Sequence, residues 1–233
     1  PAVEVHVWPE AALGRELAAN PAPLQEVARE LGGAVLAGAF RLDEAGGWRN
    51  AAALADETGA RFVADKRWTI PGYEAWLTPG VGERWPAWAA GLRWGVLMCW
   101  ESLFLDEAIA RVRAGADALA VLAHDGWAAG TATPWWHARA GRLLAVAVGR
   151  PVIVASHDGP SMAWDPRGRA IAVGGDGDAV LAFDLPVVPA ATTPYVRLGP
   201  EGLAVAWFGV AAAAVAAAGR RRQGCGASGP QAT

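Results

Sequence analysis

Hydrophobic and polar positions along the chain fall into short runs, and the period of those runs switches between two residues and about three and a half. Val3 to Trp8 alternates in the manner of a strand. Pro23 to Leu31 places Leu24, Val27, Ala28 and Leu31 on one helical face. Ala34 to Phe40 is a short apolar strand, and Asn50 to Ala55 with Arg61 to Ala64 predict a hairpin around Asp56-Glu57-Thr58-Gly59. Residues 71–90 are rich in Pro, Gly and Trp and predict a long irregular loop. Leu92 to Cys99 and Ala118 to Ala123 have the composition of buried strands. Phe104 to Ala114 and Pro134 to Val148 predict helices stopped by Gly115 and Gly149. Val152 to Ser156 is a further strand, and Ser161 to Trp164 leads into the turn Asp165-Pro166-Arg167-Gly168. Ala170 to Val173 and Ala179 to Asp184 are expected to pair with each other. Strands and helices mixed in this order predict an α/β layered fold.

The C-terminal part has a different pattern. From Gly202 to Gly219 no charge interrupts about 18 residues, and Arg220-Arg221-Arg222 follow. At ~1.5 Å per residue such a helix is about 27 Å long, close to the ~30 Å of a bilayer's hydrocarbon core. Its many alanines also suit a buried or amphipathic helix, but the arginine flank favours a membrane span. Under the positive-inside rule the arginines stay cytoplasmic, which places residues 1–198 on the opposite side. Three parts are therefore expected: residues 1–198 as a catalytic domain, 199–222 as one transmembrane helix, and 223–233 as a disordered polar tail. A strand-like run beginning at Pro1 reads as a piece of a longer protein, with the domain's first strand expected upstream.

Composition narrows the function. Hydrophobic residues make up 53 % of the 233, charged residues 18 %, and the net charge is −3. With no basic field, nucleic acid is not an expected partner. Two cysteines, Cys99 in an apolar run and Cys225 in a polar one, do not form a disulfide framework. His6, His124, His137 and His157 lack metal-ligand spacing, so no metal and no cofactor is expected.

Three segments carry candidate chemistry. Glu10 closes Val7-Trp8-Pro9-Glu10 just past a strand, Lys66 enters a loop after Asp65, and Cys99 ends the buried strand Gly95 to Met98. Sites in α/β folds gather at strand ends. A thiol needs a base to become a nucleophile and a cation to hold the oxyanion that its attack creates. Glu, Cys and Lys supply those roles, although none of the three residues is specific taken singly.

Together and in this order they resemble the Glu-Lys-Cys triad of the nitrilase, or carbon–nitrogen hydrolase, superfamily. Within it the chain most resembles the apolipoprotein N-acyltransferase family, through Trp8-Pro9-Glu10, Lys66 to Glu74 and Cys99-Trp100-Glu101. Further similar segments are Asp125-Gly126-Trp127, Pro134-Trp135-Trp136-His137 with Arg139 and Arg142, Gly149-Arg150-Pro151-Val152, Ser156-His157-Asp158-Gly159, Asp165-Pro166-Arg167-Gly168 and Thr193-Pro194-Tyr195-Val196-Arg197. The resemblance covers about residues 3–220. Departures are His124 for an Asn, Ala128 for a Phe, Trp100 for a Tyr, and Ala147 where a Glu is frequent.

The resemblance implies a nitrilase-like α-β-β-α sandwich followed by one transmembrane helix. It implies transfer of a fatty acyl chain from a phospholipid donor, through a Cys99 thioester, to the amine of a diacylglyceryl-cysteine lipoprotein acceptor. Glu10 would move protons and Lys66 would hold the oxyanion, with Glu74 tuning the lysine and Glu101 orienting the loop after the nucleophile. Trp76, Trp85 and Trp88 are expected in a lid that dips into the membrane, or else packed on the domain. The implied location is the bacterial inner membrane, with the site on its periplasmic side. Two other readings are a small-molecule amidase or nitrile hydrolase of the same superfamily, and an inactive nitrilase-like scaffold, which the departures at His124, Ala128 and Ala147 would suit.

Overall fold

The computed structural model describes residues 3–81, 86–175, 177, 179–187 and 192–225. Strands β1 (Val5–Leu13), β2 (Ala34–Leu42), β3 (Trp48–Asp56) and β4 (Gly59–Asp65) form one sheet in that order. β1 and β2 run parallel, and the other neighbours antiparallel. The second sheet contains β5 (Ala87–Ala89), β6 (Leu92–Met98), β7 (Ala118–His124), β8 (Val152–His157), β9 (Met162–Trp164) and β10 (Ala170–Val173). Its order is β10-β9-β8-β7-β6-β5, with a parallel centre of β6, β7 and β8. Helix α1 (Leu24–Leu31) covers the first sheet, while α2 (Leu105–Arg113) and α3 (Thr133–Val148) cover the second.

Period-two alternation sorts the strand residues into layers. On β2, Ala34 and Leu36 face the other sheet, while Val35, Ala37 and Ala39 pack under Leu24 and Ala28 of α1. On β7, Ala118, Ala120 and Leu122 meet the first sheet, and Leu119, Val121 and Ala123 pack beneath α2 and α3. The strands are apolar on both faces because both faces are covered. The result is the expected α-β-β-α sandwich. Small residues, especially the alanines of β2, β3 and β7, let the layers approach closely.

Three expectations change. Ala179 to Asp184 is not a strand, and β10 pairs instead with β9, through Ala170↔Trp164 and Val173↔Met162. The reason is the turn: the Asp165 carboxylate accepts from the amides of Arg167 and Arg169, each at 2.8 Å, and folds the chain straight back on β9. The 71–90 segment is not wholly irregular, since Ala87 to Ala89 forms the edge strand β5 beside β6. The last helix, α4 (Pro194–Cys225), extends through residues 223–225, which were expected in the tail; residues 226–233 lie outside those described.

α4 starts on the domain and then leaves it. The Thr193 hydroxyl donates to the Ala147 carbonyl at 2.5 Å, the Arg113 guanidinium donates to the Val196 carbonyl at 2.8 Å, and Val196 is buried against the helices. Gly199 breaks the helix with φ 72°, a conformation that glycine adopts without a Cβ clash, and Pro200 restarts it. Beyond the break Val205, Trp207, Phe208, Val210 and Val215 are all exposed. Pro194 to Ala218 is long and apolar enough to cross a membrane, and none of its most apolar stretch is covered by the domain.

Leu122, fully buried between the sheets, gives a test of the layer assignment. Leu122→Ala is expected to cost about 2–5 kcal/mol, read as a lower thermal unfolding midpoint of the detergent-solubilised chain.

Candidate active site

Glu10 owes its position to an irregularity in β1. The β1–β2 ladder runs regularly to Trp8↔Ala37 and resumes only at Leu13↔Ala39. The bulge between them holds Ala11 at φ 55° and carries the Glu10 side chain inward, where it is buried. Gly38 of β2 lies directly under this bulge. A Cβ there would strike Glu10 Cα, Pro9 O and Ala11 N, so only glycine leaves the space.

Lys66 follows β4 and is held by its backbone: its amide donates to the Asn50 carbonyl and its carbonyl accepts from Gly80, both at 2.7 Å. The side chain is only 1 % exposed. Its Nζ donates to Glu10 Oε1 at 2.9 Å and to Glu74 Oε1 at 2.7 Å. Asn50 Nδ2 donates to the same Glu10 oxygen at 2.7 Å, and Glu74 Oε2 accepts from the Ile70 amide at 2.7 Å. Burial opposes the ammonium, but the charges of Glu10, Cys99 and Glu74 outweigh it and hold the lysine protonated well above its ordinary range. An ammonium has three donors, and the third has no partner among the described residues.

Cys99 follows β6 and opens a short 3-10 turn, Cys99–Leu103. Its φ of 50° is uncommon outside glycine and turns the side chain off the strand end. The thiol is buried, with Sγ 3.9 Å from the His124 carbonyl. Burial pushes its pKa upward and the Glu10 charge adds to the effect, while the Lys66 ammonium opposes them. At neutral pH the resting site is therefore a thiol beside a carboxylate, and a standing thiolate is disfavoured.

Glu101 lies within the same turn and is fully buried. It accepts from the Met98 amide at 2.9 Å, the Arg67 amide at 2.6 Å and the Trp68 amide at 3.2 Å, with Arg111 Nη2 at 3.6 Å. This carboxylate thus clips the loop after Lys66 to the turn that holds Cys99. Desolvation raises its pKa, against the opposing pull of Arg111 and the three amides.

Two groups were missed by the sequence reading. One is Asn50, whose only visible context was a strand end. The other is the pair His137 and Asp125, both inside segments quoted for resemblance without a role. His137 Nδ1 lies 2.7 Å from Asp125 Oδ1, and Nε2 lies 3.2 Å from the Cys99 carbonyl and 2.9 Å from Ser102 Oγ. The Ser156 hydroxyl donates to the other Asp125 oxygen. A carboxylate only accepts, so Nδ1 carries a proton, while Nε2 faces both the Ser102 hydroxyl and the Cys99 carbonyl. Burial opposes the charged ring, yet Asp125 and the Cys99 carbonyl raise the His137 pKa above the ordinary histidine value.

The structure brings Glu10, Lys66, Glu74, Cys99 and Glu101 together, and it places Trp76 and Trp88 apart from each other. Trp76 stacks 5.5 Å from Phe40 near Glu74. Trp88 sits in β5 opposite Arg93, at the far end of β6 from Cys99, about 20 Å away at ~3.3 Å per residue. Trp85 lies outside the described residues. Of the departures, His124 pairs with Asp158 at 3.7 Å, Ala128 is buried, and Ala147 lies near Thr193, away from Cys99. Among the described residues no cluster of three or more His, Cys, Asp or Glu could hold a metal ion.

The carbon-nitrogen hydrolase family model matches residues 2–194. The chain belongs to that family. Its fold is similar to a carbon–nitrogen hydrolase from Helicobacter pylori G27, with TM-score 0.64, 16 % identity, and 76 % of this chain and 75 % of that one covered. It is also similar to an amidase mutant from Nesterenkonia sp. AN1 whose active-site cysteine has added acrylamide, with TM-score 0.63, 21 % identity and coverages of 88 % and 86 %. Among curated proteins, the apolipoprotein N-acyltransferase of Rhodopseudomonas palustris is 38 % identical over 111 residues, 47 % of this chain and 20 % of that protein. The apolipoprotein N-acyltransferase of Brucella melitensis biotype 1 is 31 % identical over 198 residues, 72 % and 37 % respectively. The chain therefore spans little more than a third of these relatives at most.

In this chain, His137→Gln removes a group whose pKa is raised on folding. Its stabilising contribution is full below the ordinary histidine value and is lost as pH rises through the raised one. The gap in unfolding midpoint between wild type and His137→Gln is expected to be widest below the ordinary histidine range and to narrow as pH rises above it.

Proposed function

We propose that this chain carries out the acyl-transfer chemistry of an apolipoprotein N-acyltransferase at Cys99. The observation that carries the reading is one buried ammonium, Lys66, bonded to two carboxylates and acting on a buried cysteine in a left-handed turn. Glu10 takes the Cys99 proton as sulfur attacks an ester carbonyl of a phospholipid. The oxyanion forms near the unused Lys66 donor and the amides after Cys99. Collapse expels the lysophospholipid alkoxide, which receives the proton from Glu10, and leaves an acyl thioester. The amine of a diacylglyceryl-cysteine lipoprotein then attacks the thioester. Glu10 accepts the amine's proton and returns it to the departing sulfur. Glu74 and Asn50 hold Lys66 and Glu10, and Glu101 holds the nucleophile's turn.

The uncovered helix after Gly199 supports a membrane setting, because a soluble amidase has no use for an uncovered 18-residue apolar stretch. We read residues 1–198 as the catalytic domain and 199–222 as an anchor in the bacterial inner membrane. Arg220 to Arg222 would be cytoplasmic and the site periplasmic, beside its lipid donor. The second reading, a small-amide hydrolase, is favoured by the likeness to the Nesterenkonia amidase.

In the full-length protein, Cys99→Ala is expected to abolish the third acyl chain on a lipoprotein N-terminus, read by mass spectrometry. Glu10→Gln is expected to slow thioester formation by about 10²–10⁴-fold. A Cys99→Ala protein that still yields triacylated lipoprotein would overturn both enzymatic readings. Release of free acid from short amides without any amine acylation would support the hydrolase.

A further inference from the structure

Arg15 lies in the loop between β1 and α1, exposed to solvent. Its guanidinium rests on three aromatic rings, with Cζ 4.7 Å from the Trp48 centroid, 4.9 Å from Trp76 and 5.9 Å from Phe40. No ion pair or hydrogen bond engages it among the described residues, its neighbour Glu16 included. The other arginines on this rim are spent: Arg41 grips Asp65 through two bonds, and Arg49 pairs with Asp43 at 3.0 Å. Among the described residues Arg15 has no hydrogen bond or ion pair on its N–H groups, unlike Arg41 and Arg49.

This cage adjoins the catalytic cluster through three links of the chain. Phe40 is the cross-strand partner of Asn50, whose amide bonds Glu10. Trp48 precedes Asn50 by two residues on the same face of β3, and Trp76 follows Glu74 by two. Cross-strand neighbours lie ~5 Å apart, so the guanidinium sits on the order of 10 Å from the Glu10–Lys66 pair. A guanidinium resting against aromatic rings keeps N–H donors for a tetrahedral anion, and little side-chain freedom is lost on binding. Lys66 already bonds two carboxylates and its remaining donor is assigned to the oxyanion, which leaves an anion at the rim to Arg15.

The geometry points to a phosphate subsite at Arg15, stacked on Phe40, Trp48 and Trp76, that receives the headgroup phosphate of the lipid acyl donor. It rests on the acyl-transfer reading for its place beside the nucleophile. In a glycerophospholipid only the glycerol carbons separate the phosphate from the ester carbonyls, so one rim cation near the thiol aligns the reacting ester. Trp76 then serves the site as part of the cation's platform.

The test compares two donors with identical esters, phosphatidylglycerol and diacylglycerol, in mixed micelles with the full-length protein. Arg15→Gln is expected to lower the kcat/KM preference for phosphatidylglycerol over diacylglycerol by about 10- to 100-fold, mostly through KM. Arg15→Lys, which keeps the charge but loses the flat fork, is expected to fall between. An unchanged preference in Arg15→Gln overturns the proposal. Calorimetric titration with sn-glycerol 3-phosphate and with inorganic phosphate reads the subsite without any acyl transfer. Binding by wild type that Arg15→Gln loses supports it, and equal heats in both proteins overturn it. Binding of glycerol phosphate alone identifies a lipid headgroup site, whereas equal binding of inorganic phosphate identifies a general phosphate site. Wild type that transfers from neither donor yet binds glycerol phosphate through Arg15 refutes the acyl-transfer reading and leaves the subsite standing.

Discussion

Lys66 holds a full charge where water does not reach it, and the architecture around it is organised by that fact. Desolvating an ammonium costs several kcal/mol unless opposite charges and hydrogen bonds are already in place. Glu10 and Glu74 meet that requirement from two directions, one on the bulge of β1 and one in the loop after Lys66 itself. Each carboxylate is in turn fixed by a neutral donor, Asn50 Nδ2 for Glu10 and the Ile70 amide for Glu74. Gly38 beneath the bulge is needed for the same reason, since any side chain there would lift Glu10 away from the lysine.

Cys99 is held by a second buried set whose parts have different partners. Glu101 gathers three amides from two chain segments, and the buried His137 ring links Asp125 to the Cys99 carbonyl. The two sets converge on one thiol from opposite sheets. A left-handed φ at Cys99 is uphill for a non-glycine residue, and bonds on both sides of the turn oppose its relaxation. Motion of either sheet relative to the other would separate Glu10 from the thiol, so the close packing of Leu36, Leu54, Met98 and Leu122 between the sheets also sets the geometry of the cluster.

Outside the sandwich the fold departs from a compact domain at one point, Gly199. Before it, Thr193 and Val196 bind the chain to α2 and α3; after it, a run of apolar side chains has no protein to cover it. Around the active site the rim is also polarised, with paired arginines on the outer strands and a single unpaired one on an aromatic platform.

Much of this was legible in the chain itself. Period-two and helical patterns gave the layered α/β order, because burial on one or both faces is written directly into residue spacing. Glu10, Lys66 and Cys99 stood out because unusual residue types occupy strand ends, and their order resembles that of a known triad. The partner of β10 was not legible, since the Asp165 turn competes with any later strand and only geometry decides between them. Asn50 and His137 could not be assigned either: their functions come from contacts across 40 and 38 positions of sequence, to Glu10 and to Cys99. Nor could the chain alone separate Trp76 from Trp88, which share a segment rich in proline and tryptophan. The strand β5 carries Trp88 to the opposite end of the sheet, and Arg15 holds Trp76 beside the site. Local pattern determines which residues are buried and in what elements; which polar groups meet depends on how two sheets are registered against each other, and that is a property of the packed chain alone.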